Sequence, residues 1–257
     1  FAAPLMESES TIEVLPPYES RSYVDLTLAA LQQFGVKVTA RARKNGSVLY
    51  RIAAPQRYTA CDLAIEGDYS QAAFLAVLGC VAGGITVTGL APDSRQGDKV
   101  ILDILKRCGG KIKTTSDGYA FARSLLRATE IDLADCPDLG PVLFTLGCFC
   151  SGETVIHNAG RLRMKESDRI EAMQTELQKM GARITVDGDD VHITGVALHA
   201  PEEPLSGHND HRVVMALAVA ACAAGLPACI LGAGAVNKSW PAFWDVLRAL
   251  GGKVEWE

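Results

Sequence analysis

Apolar positions along this chain switch period repeatedly, and the switches mark its elements. Ile170, Met173, Leu177 and Met180 recur at helical spacing and Gly181 closes the run, which predicts a helix over 166–180. A strand over 183–186, a turn at Asp187-Gly188-Asp189 and a strand over 191–194 follow. Just upstream, the pattern predicts a helix over 139–149 and a strand over 154–157. The preceding stretch has the same order. A helix capped by Asp68 runs through Phe74 and Leu78 to Val81, then a strand over 85–88, then a helix capped by Asp98. That helix carries Val100, Ile101, Ile104 and Leu105, and strands over 111–115, 119–123 and 131–133 come after it. Towards the C-terminus the pattern gives helices over 212–224 and 240–250 and strands over 229–231 and 253–256. Towards the N-terminus it gives a strand over 10–14, a helix over 23–34 with Ser22 as its cap, and a hairpin over 36–53.

These elements form a repeat. Phe34-Gly35-Val36-Lys37-Val38, Cys108-Gly109-Gly110-Lys111-Ile112, Met180-Gly181-Ala182-Arg183-Ile184 and Leu250-Gly251-Gly252-Lys253-Val254 recur at a period of roughly 70 residues. In each, glycine suits the left-handed residue that ends a helix before a strand. The unit reads β-α-β-α-β-β. In the first copy the initial helix is reduced to Phe1-Ala2-Ala3, so the chain is expected to be part of a longer polypeptide.

Charge falls at fixed places in the repeat. Arg21, Arg95, Lys165 and Lys238 precede or begin the second helix of each unit, and Asp68, Asp138 and Asp210 begin the first. Aspartate there is first of all a helix cap. The densest cluster is Arg163-Met164-Lys165-Glu166-Ser167-Asp168-Arg169. Lys165 and Arg169, four apart, would share one helix face near an N-terminus that already favours anions, with Glu166 beside them. One reading is a solvated helix start laced with ion pairs. The other is an acid–base site for a phosphorylated or carboxylated substrate. Asp210-His211-Arg212 adds a second titratable group and cation at a helix start. His157, His192 and His199 read as surface residues, His208 lies in a polar loop, and Trp240 and Trp244 read as core.

Composition narrows the classes. A net charge of −5 argues against a broad nucleic-acid surface, so any anion site is local. The apolar run 213–226 falls short of the roughly 18 residues that would mark a membrane span. Eight scattered cysteines show no zinc-ligand spacing and read as reduced and structural, which fits a cytoplasmic protein.

Several motifs, in one order along the chain, resemble 5-enolpyruvylshikimate-3-phosphate synthase. They are Glu66-Gly67-Asp68-Tyr69-Ser70-Gln71-Ala72, Leu162 through Ile170 around Lys165-Glu166-Ser167-Asp168-Arg169, Asn209-Asp210-His211-Arg212, and Asn237-Lys238-Ser239-Trp240-Pro241. The resemblance implies an α/β (α+β) fold, the inverted α/β barrel of repeated β-α-β-α-β-β units seen in enolpyruvyl transferases. Residues 1–65 would be an incomplete remainder of the shikimate-phosphate domain, and 66–257 the phosphoenolpyruvate-side domain of three repeat units. The implied reaction moves the enolpyruvyl group of phosphoenolpyruvate to the 5-hydroxyl of shikimate-3-phosphate and releases phosphate, on the route to chorismate.

By the same resemblance Lys165, Arg169, His211, Arg212 and Lys238 belong to the phosphoenolpyruvate site. Glu166 is the acid, with Lys165 beside it in the catalytic set. Asp138 positions and deprotonates the attacking hydroxyl. Ser20 and Tyr23, with Asp138, contact shikimate-3-phosphate. Arg161 stands where many members carry an amide and receives no role. No metal, cofactor, nucleic acid or membrane is implied, and a monomer is expected. The family's N-terminal motifs are missing from this sequence. The chain is therefore expected to hold about half a site, to bind shikimate-3-phosphate poorly and to catalyse little unless the missing part is supplied, even as a separate chain. The alternatives are a non-catalytic half-enzyme and an enolpyruvyl transferase acting on UDP-N-acetylglucosamine.

Overall fold

Residues 1–256 are described by a computed structural model, and they fall into two compact units. One comprises Phe1–Glu66 with Arg95–Gly97, the other Gly67–Ser94 with the chain from Asp98 onward.

The first unit contains β1 (Ser10–Val14), α1 (Arg21–Gln33), β2 (Val38–Ala42) and β3 (Val48–Ile52). β3 lies between β1 and β2 and is antiparallel to both. Within α1 only Leu31 is buried. Leu5, Met6, Ile12, Leu15 and Ile65 are each more than half exposed. The helix starts two residues earlier than the apolar period suggests, so Ser22 lies inside it. The N-cap position belongs to Ser20, in the left-handed region at φ 53°, with no side-chain cap bond.

The second unit begins with α2 (Tyr69–Val81), β4 (Ile85–Thr88), α3 (Ile101–Arg107), β5 (Lys111–Thr115), β6 (Gly118–Ala122) and β7 (Glu130–Asp132). It continues through α4 (Gly140–Phe149), β8 (Glu153–His157), α5 (Arg169–Lys179), β9 (Arg183–Asp187) and β10 (Asp190–Thr194). It ends with β11 (Leu205–Ser206), α6 (His211–Ala224), β12 (Ile230–Leu231) and α7 (Phe243–Ala249). Helices α2, α4 and α6 are apolar on nearly every side and are buried on nearly every side, so they pack on one another at the centre. Thr145 Oγ1 in α4 donates to the Ala216 carbonyl of α6 at 3.0 Å, so this buried hydroxyl is satisfied.

Sheets of order β4-β6-β5 and β7-β8-β10-β9 pack on this helical core, with a short parallel pair, β11-β12. The hairpins β5–β6 and β9–β10 turn at their Asp-Gly sequences, Asp117-Gly118 and Asp187-Gly188. Gly35, Gly109, Gly181 and Gly251 all adopt left-handed φ, between 79° and 96°, as the repeated helix–strand junction requires. No helix among the described residues is long and apolar enough to cross a membrane.

β7 pairs in parallel with β8, so the strand expected over 131–133 leads into the sheet of the following unit. Other expectations fail locally. Residues 253–256 form no strand, and the two-residue β11 was not anticipated, because so short a pairing leaves no alternation to read. Asp98 does not cap α3. It sits within a 3₁₀ turn, Gly97–Val100, that runs directly into the helix.

A candidate anion-binding and acid–base site

The charged cluster of residues 163–169 is not the first turn of a helix. Residues Ala159–Met164 form a 3₁₀ segment, Lys165 is extended, and α5 starts only at Arg169. Asp168 causes this, because its carboxylate accepts from the amides of Ile170 and Glu171 and so fixes the helix start there. Lys165 and Arg169 therefore do not share a helix face. They meet instead on Asp138, which receives Lys165 Nζ at 3.1 Å and Arg169 Nη1 at 3.4 Å. Gly140, at the start of α4, packs closely on the 3₁₀ segment that precedes Lys165. A Cβ there would lie 2.6 Å from Leu162 Cδ1, so any larger residue would force the buried Leu162 side chain of the 3₁₀ segment to shift.

Asp138 is likewise not a helix cap. It lies inside the 3₁₀ turn Pro137–Leu139 and turns its carboxylate to three cations, the third being Arg212 at 3.3 Å. Arg212 also reaches the Asp138 carbonyl at 3.3 Å and Ser70 Oγ at 3.0 Å. Burial pushes the Asp138 carboxyl up, but Arg212, Lys165 and Arg169 outweigh it and hold the group below its ordinary range.

Asp210 does cap α6, accepting from the Arg212 amide at 2.9 Å. It also receives Arg169 Nε at 2.7 Å, Arg169 Nη2 at 3.2 Å and Ser167 Oγ at 3.1 Å, although no part of it reaches solvent. Burial raises its pKa, yet these partners lower it overall. His211, next on α6, places Nδ1 3.2 Å from Glu166 Oε2. Burial holds the imidazole below its ordinary pKa and Arg212 adds to this, while Glu166 opposes them. The same Glu166 oxygen lies 3.3 Å from Lys238 Nζ, which also donates to the Asn209 carbonyl. Lys238 ends the 3₁₀ segment Ala233–Lys238, and Gln71 of α2 bonds the neighbouring Ser239 carbonyl at 2.8 Å.

Seven of the residues singled out from sequence thus meet in one unit: Asp138, Lys165, Glu166, Arg169, His211, Arg212 and Lys238. Ser20 and Tyr23 lie in the other unit, at the start of α1. Arg21, which begins α1 at the repeat position that Lys165 and Lys238 hold in later units, is ion-paired with Asp25 and stands over the Tyr18 ring. Three contributors were missed: Ser70, Ser167 and the Asn209 carbonyl. Ser70 stands in the quoted Glu-Gly-Asp motif, which could have marked it. A backbone carbonyl leaves no trace in a sequence.

Chemically, four permanent cations face three carboxylates, and the exposed ones differ in kind. Lys165, Lys238 and Glu166 reach solvent, whereas Arg169 and Asp210 are locked together beneath them. Glu166, Asp210 and His211 bring ligand-type atoms within 4.8 Å of one another. A divalent cation there would compete with the guanidinium and ammonium groups already on those carboxylates, so the charge pattern suits an anion.

Known proteins similar to this chain place it in a family. A family model described as EPSP synthase (3-phosphoshikimate 1-carboxyvinyltransferase) matches residues 1–247. A 3-phosphoshikimate 1-carboxyvinyltransferase of Clostridium kluyveri is 42% identical over 262 residues, covering 100% of this chain and 59% of its own length. One from Methanococcus maripaludis is 38% identical over 255 residues, covering 98% and 59%. Thus the chain spans about three fifths of the length of the curated relatives it matches. Among solved structures, the EPSP synthase of Acinetobacter baumannii superposes with a TM-score of 0.75 at 22% identity, covering 96% of this chain and 58% of that one. The enolpyruvyl transferase NikO from Streptomyces tendae also gives 0.75, at 18% identity over 98% of this chain and 58% of its own. These two likenesses establish the fold, that of the enolpyruvyl transferases. On the strength of the family match and the relatives' identity, this chain belongs to the EPSP synthase family.

Proposed function

We propose that this chain carries the phosphoenolpyruvate half of a 3-phosphoshikimate 1-carboxyvinyltransferase. The observation behind the reading is the convergence of Lys165, Arg169, Arg212 and Lys238 around Asp138 and Glu166 within one compact unit. Lys165, Arg212 and Lys238 hold the phosphate and carboxylate of phosphoenolpyruvate. Arg169 lies beneath them, tied to Asp210, and faces the same site.

Glu166 is the proton donor to the methylene carbon. It shares Lys238 with the incoming anion, so substrate binding draws that cation off the carboxyl and leaves Glu166 facing the enol. Protonation at carbon makes the adjacent carbon electrophilic, next to fixed charges that favour the polar transition state. The 5-hydroxyl oxygen of shikimate-3-phosphate then bonds to that carbon while Asp138, oriented by three cations, accepts the hydroxyl proton. Phosphate then leaves while the Glu166 carboxylate takes back a proton from the methyl group, which restores the double bond. Neutral His211 orients Glu166 through their hydrogen bond.

Residues 1–65 are assigned to the shikimate-phosphate domain, with Ser20 and Tyr23 as substrate contacts, and 66–257 to the phosphoenolpyruvate side. The exposed apolar residues of the first unit support a partner for it, namely the part of the family's length that this chain does not span. That part completes the site whether joined to this chain or supplied separately. A monomeric, cytoplasmic enzyme is the corresponding assembly. Phosphate release from phosphoenolpyruvate plus shikimate-3-phosphate, measured with and without that segment, tests the reading. Turnover only when the segment is present supports it, and none in either case overturns it.

A further inference from the structure

We propose that Glu176 and His208, neither part of the site described above, form a clamp that positions the Lys238 end of that site. Glu176 lies on α5 with a side chain that is 2% exposed. Its Oε2 accepts from Lys179 Nζ at 2.8 Å and from the Ser206 amide at 2.9 Å, and its Oε1 lies 2.9 Å from His208 Nε2. A carboxylate can only accept, so His208 carries its proton on Nε2. Burial pushes the Glu176 carboxyl up, but Lys179, the Ser206 amide and His208 bring it below its ordinary range, so it is a buried anion.

A buried carboxylate is costly, and a well-packed apolar side chain serves stability at least as well. What Glu176 adds is geometry, because its partners Ser206 and His208 both flank one turn. That turn is strained. His208 and Asn209 have φ of 48° and 52°, a region disfavoured for residues other than glycine. Gly207 before them has no room for a Cβ, which would lie 2.4 Å from Val214 Cγ2 and 2.8 Å from the Leu231 carbonyl. The turn is closed by the Asp210 amide on the Gly207 carbonyl at 2.8 Å. Its products are the groups the site uses: the Asn209 carbonyl that receives Lys238, the Asp210 carboxylate on Arg169, and His211 beside Glu166. Without the bond from His208 to Glu176, the strained pair of residues relaxes and the Asn209 carbonyl leaves Lys238.

The second part of the test rests on the phosphoenolpyruvate reading, and the first does not. In amide hydrogen exchange on this chain, His208→Ala is expected to speed exchange in residues 207–211 about tenfold, with the other strands and helices unchanged. His208→Gln, whose amide can donate to the same oxygen, is expected to restore protection. Unchanged protection in His208→Ala, or equal loss in both variants, overturns the clamp. In the protein supplied with its missing segment, His208→Ala should raise the KM for phosphoenolpyruvate about tenfold, with kcat within twofold and the thermal midpoint nearly constant. An unchanged KM in an active protein overturns the positioning role. If the wild-type protein has no such activity, the functional reading fails and hydrogen exchange alone decides on the clamp.

Discussion

Arg169 grips Asp210 with two nitrogens, Nε to Oδ2 at 2.7 Å and Nη2 to Oδ1 at 3.2 Å, and both side chains are shut away from water. The pair joins the start of α5 to the start of α6. Removing one member strands the other charge in the interior, which costs about 3–5 kcal/mol. Asp210→Asn and Arg169→Lys are therefore both expected to lower the urea midpoint sharply, since lysine cannot reproduce the two-nitrogen grip. A loss below about 1 kcal/mol for either would show that the pair is not a structural anchor.

Glu166 should behave in the opposite way. Its side chain is 39% exposed and caps nothing, so Glu166→Gln is expected to leave the unfolding midpoint within about 0.5 kcal/mol of wild type. Turnover in the completed enzyme should fall by about 10²-fold or more, the range for a lost general acid. Equal turnover would remove its assignment as proton donor.

Lys238 donates to the Glu166 carboxyl and to the Asn209 carbonyl, and it is 40% exposed. Lys238→Ala is expected to raise the KM for phosphoenolpyruvate by about tenfold or more while changing kcat less, as removal of a ground-state binding charge does. Saturation kinetics at fixed shikimate-3-phosphate would measure this. An unaltered KM would argue that the phosphate lies elsewhere.

The site also sets how stability responds to acid. Asp138 and Asp210 bind protons more weakly folded than unfolded, despite burial, because of their cationic partners. Their stabilisation is complete above the unfolded carboxylate value of about 3.9 and is lost as pH falls through the lower folded values. His211 has the same sign in a higher window. Burial lowers its folded pKa, so its neutral form costs nothing above about pH 6.5 and loses stability as pH drops below that. Urea midpoints measured from pH 7.5 to 3 should fall in two stages, and His211→Asn should remove the upper one. A midpoint rising between pH 7 and 5.5 would contradict this.

Much of this was legible in the residues, for identifiable reasons. The repeated junctions, glycine followed two residues later by lysine or arginine, gave away the unit, since a helix that runs into a strand needs a left-handed residue and glycine supplies it. The three apolar helices were legible because no charged residue follows the first turn of any of them. The local form of the charged cluster was not, because two rules competed. Helical spacing favoured a start at Glu166, whereas the Asp168 cap placed it at Arg169, and capping prevailed because it satisfies two amides at once. Asp138 misled in the reverse sense, with a cap-like sequence but a carboxylate committed to three cations. Contacts between residues distant in sequence, such as Ser70 with Arg212 and Glu176 with His208, carry no periodicity at all.

The central claim is that cations gathered around Glu166 and Asp138 hold phosphoenolpyruvate for carbon protonation. The most direct measurement runs the reaction in deuterium oxide, with shikimate-3-phosphate and the missing segment present, and follows exchange into the methylene group of phosphoenolpyruvate. The account predicts deuterium at that carbon in the wild-type protein and almost none in Glu166→Gln. Equal incorporation in both, or phosphate release without any incorporation, would contradict it.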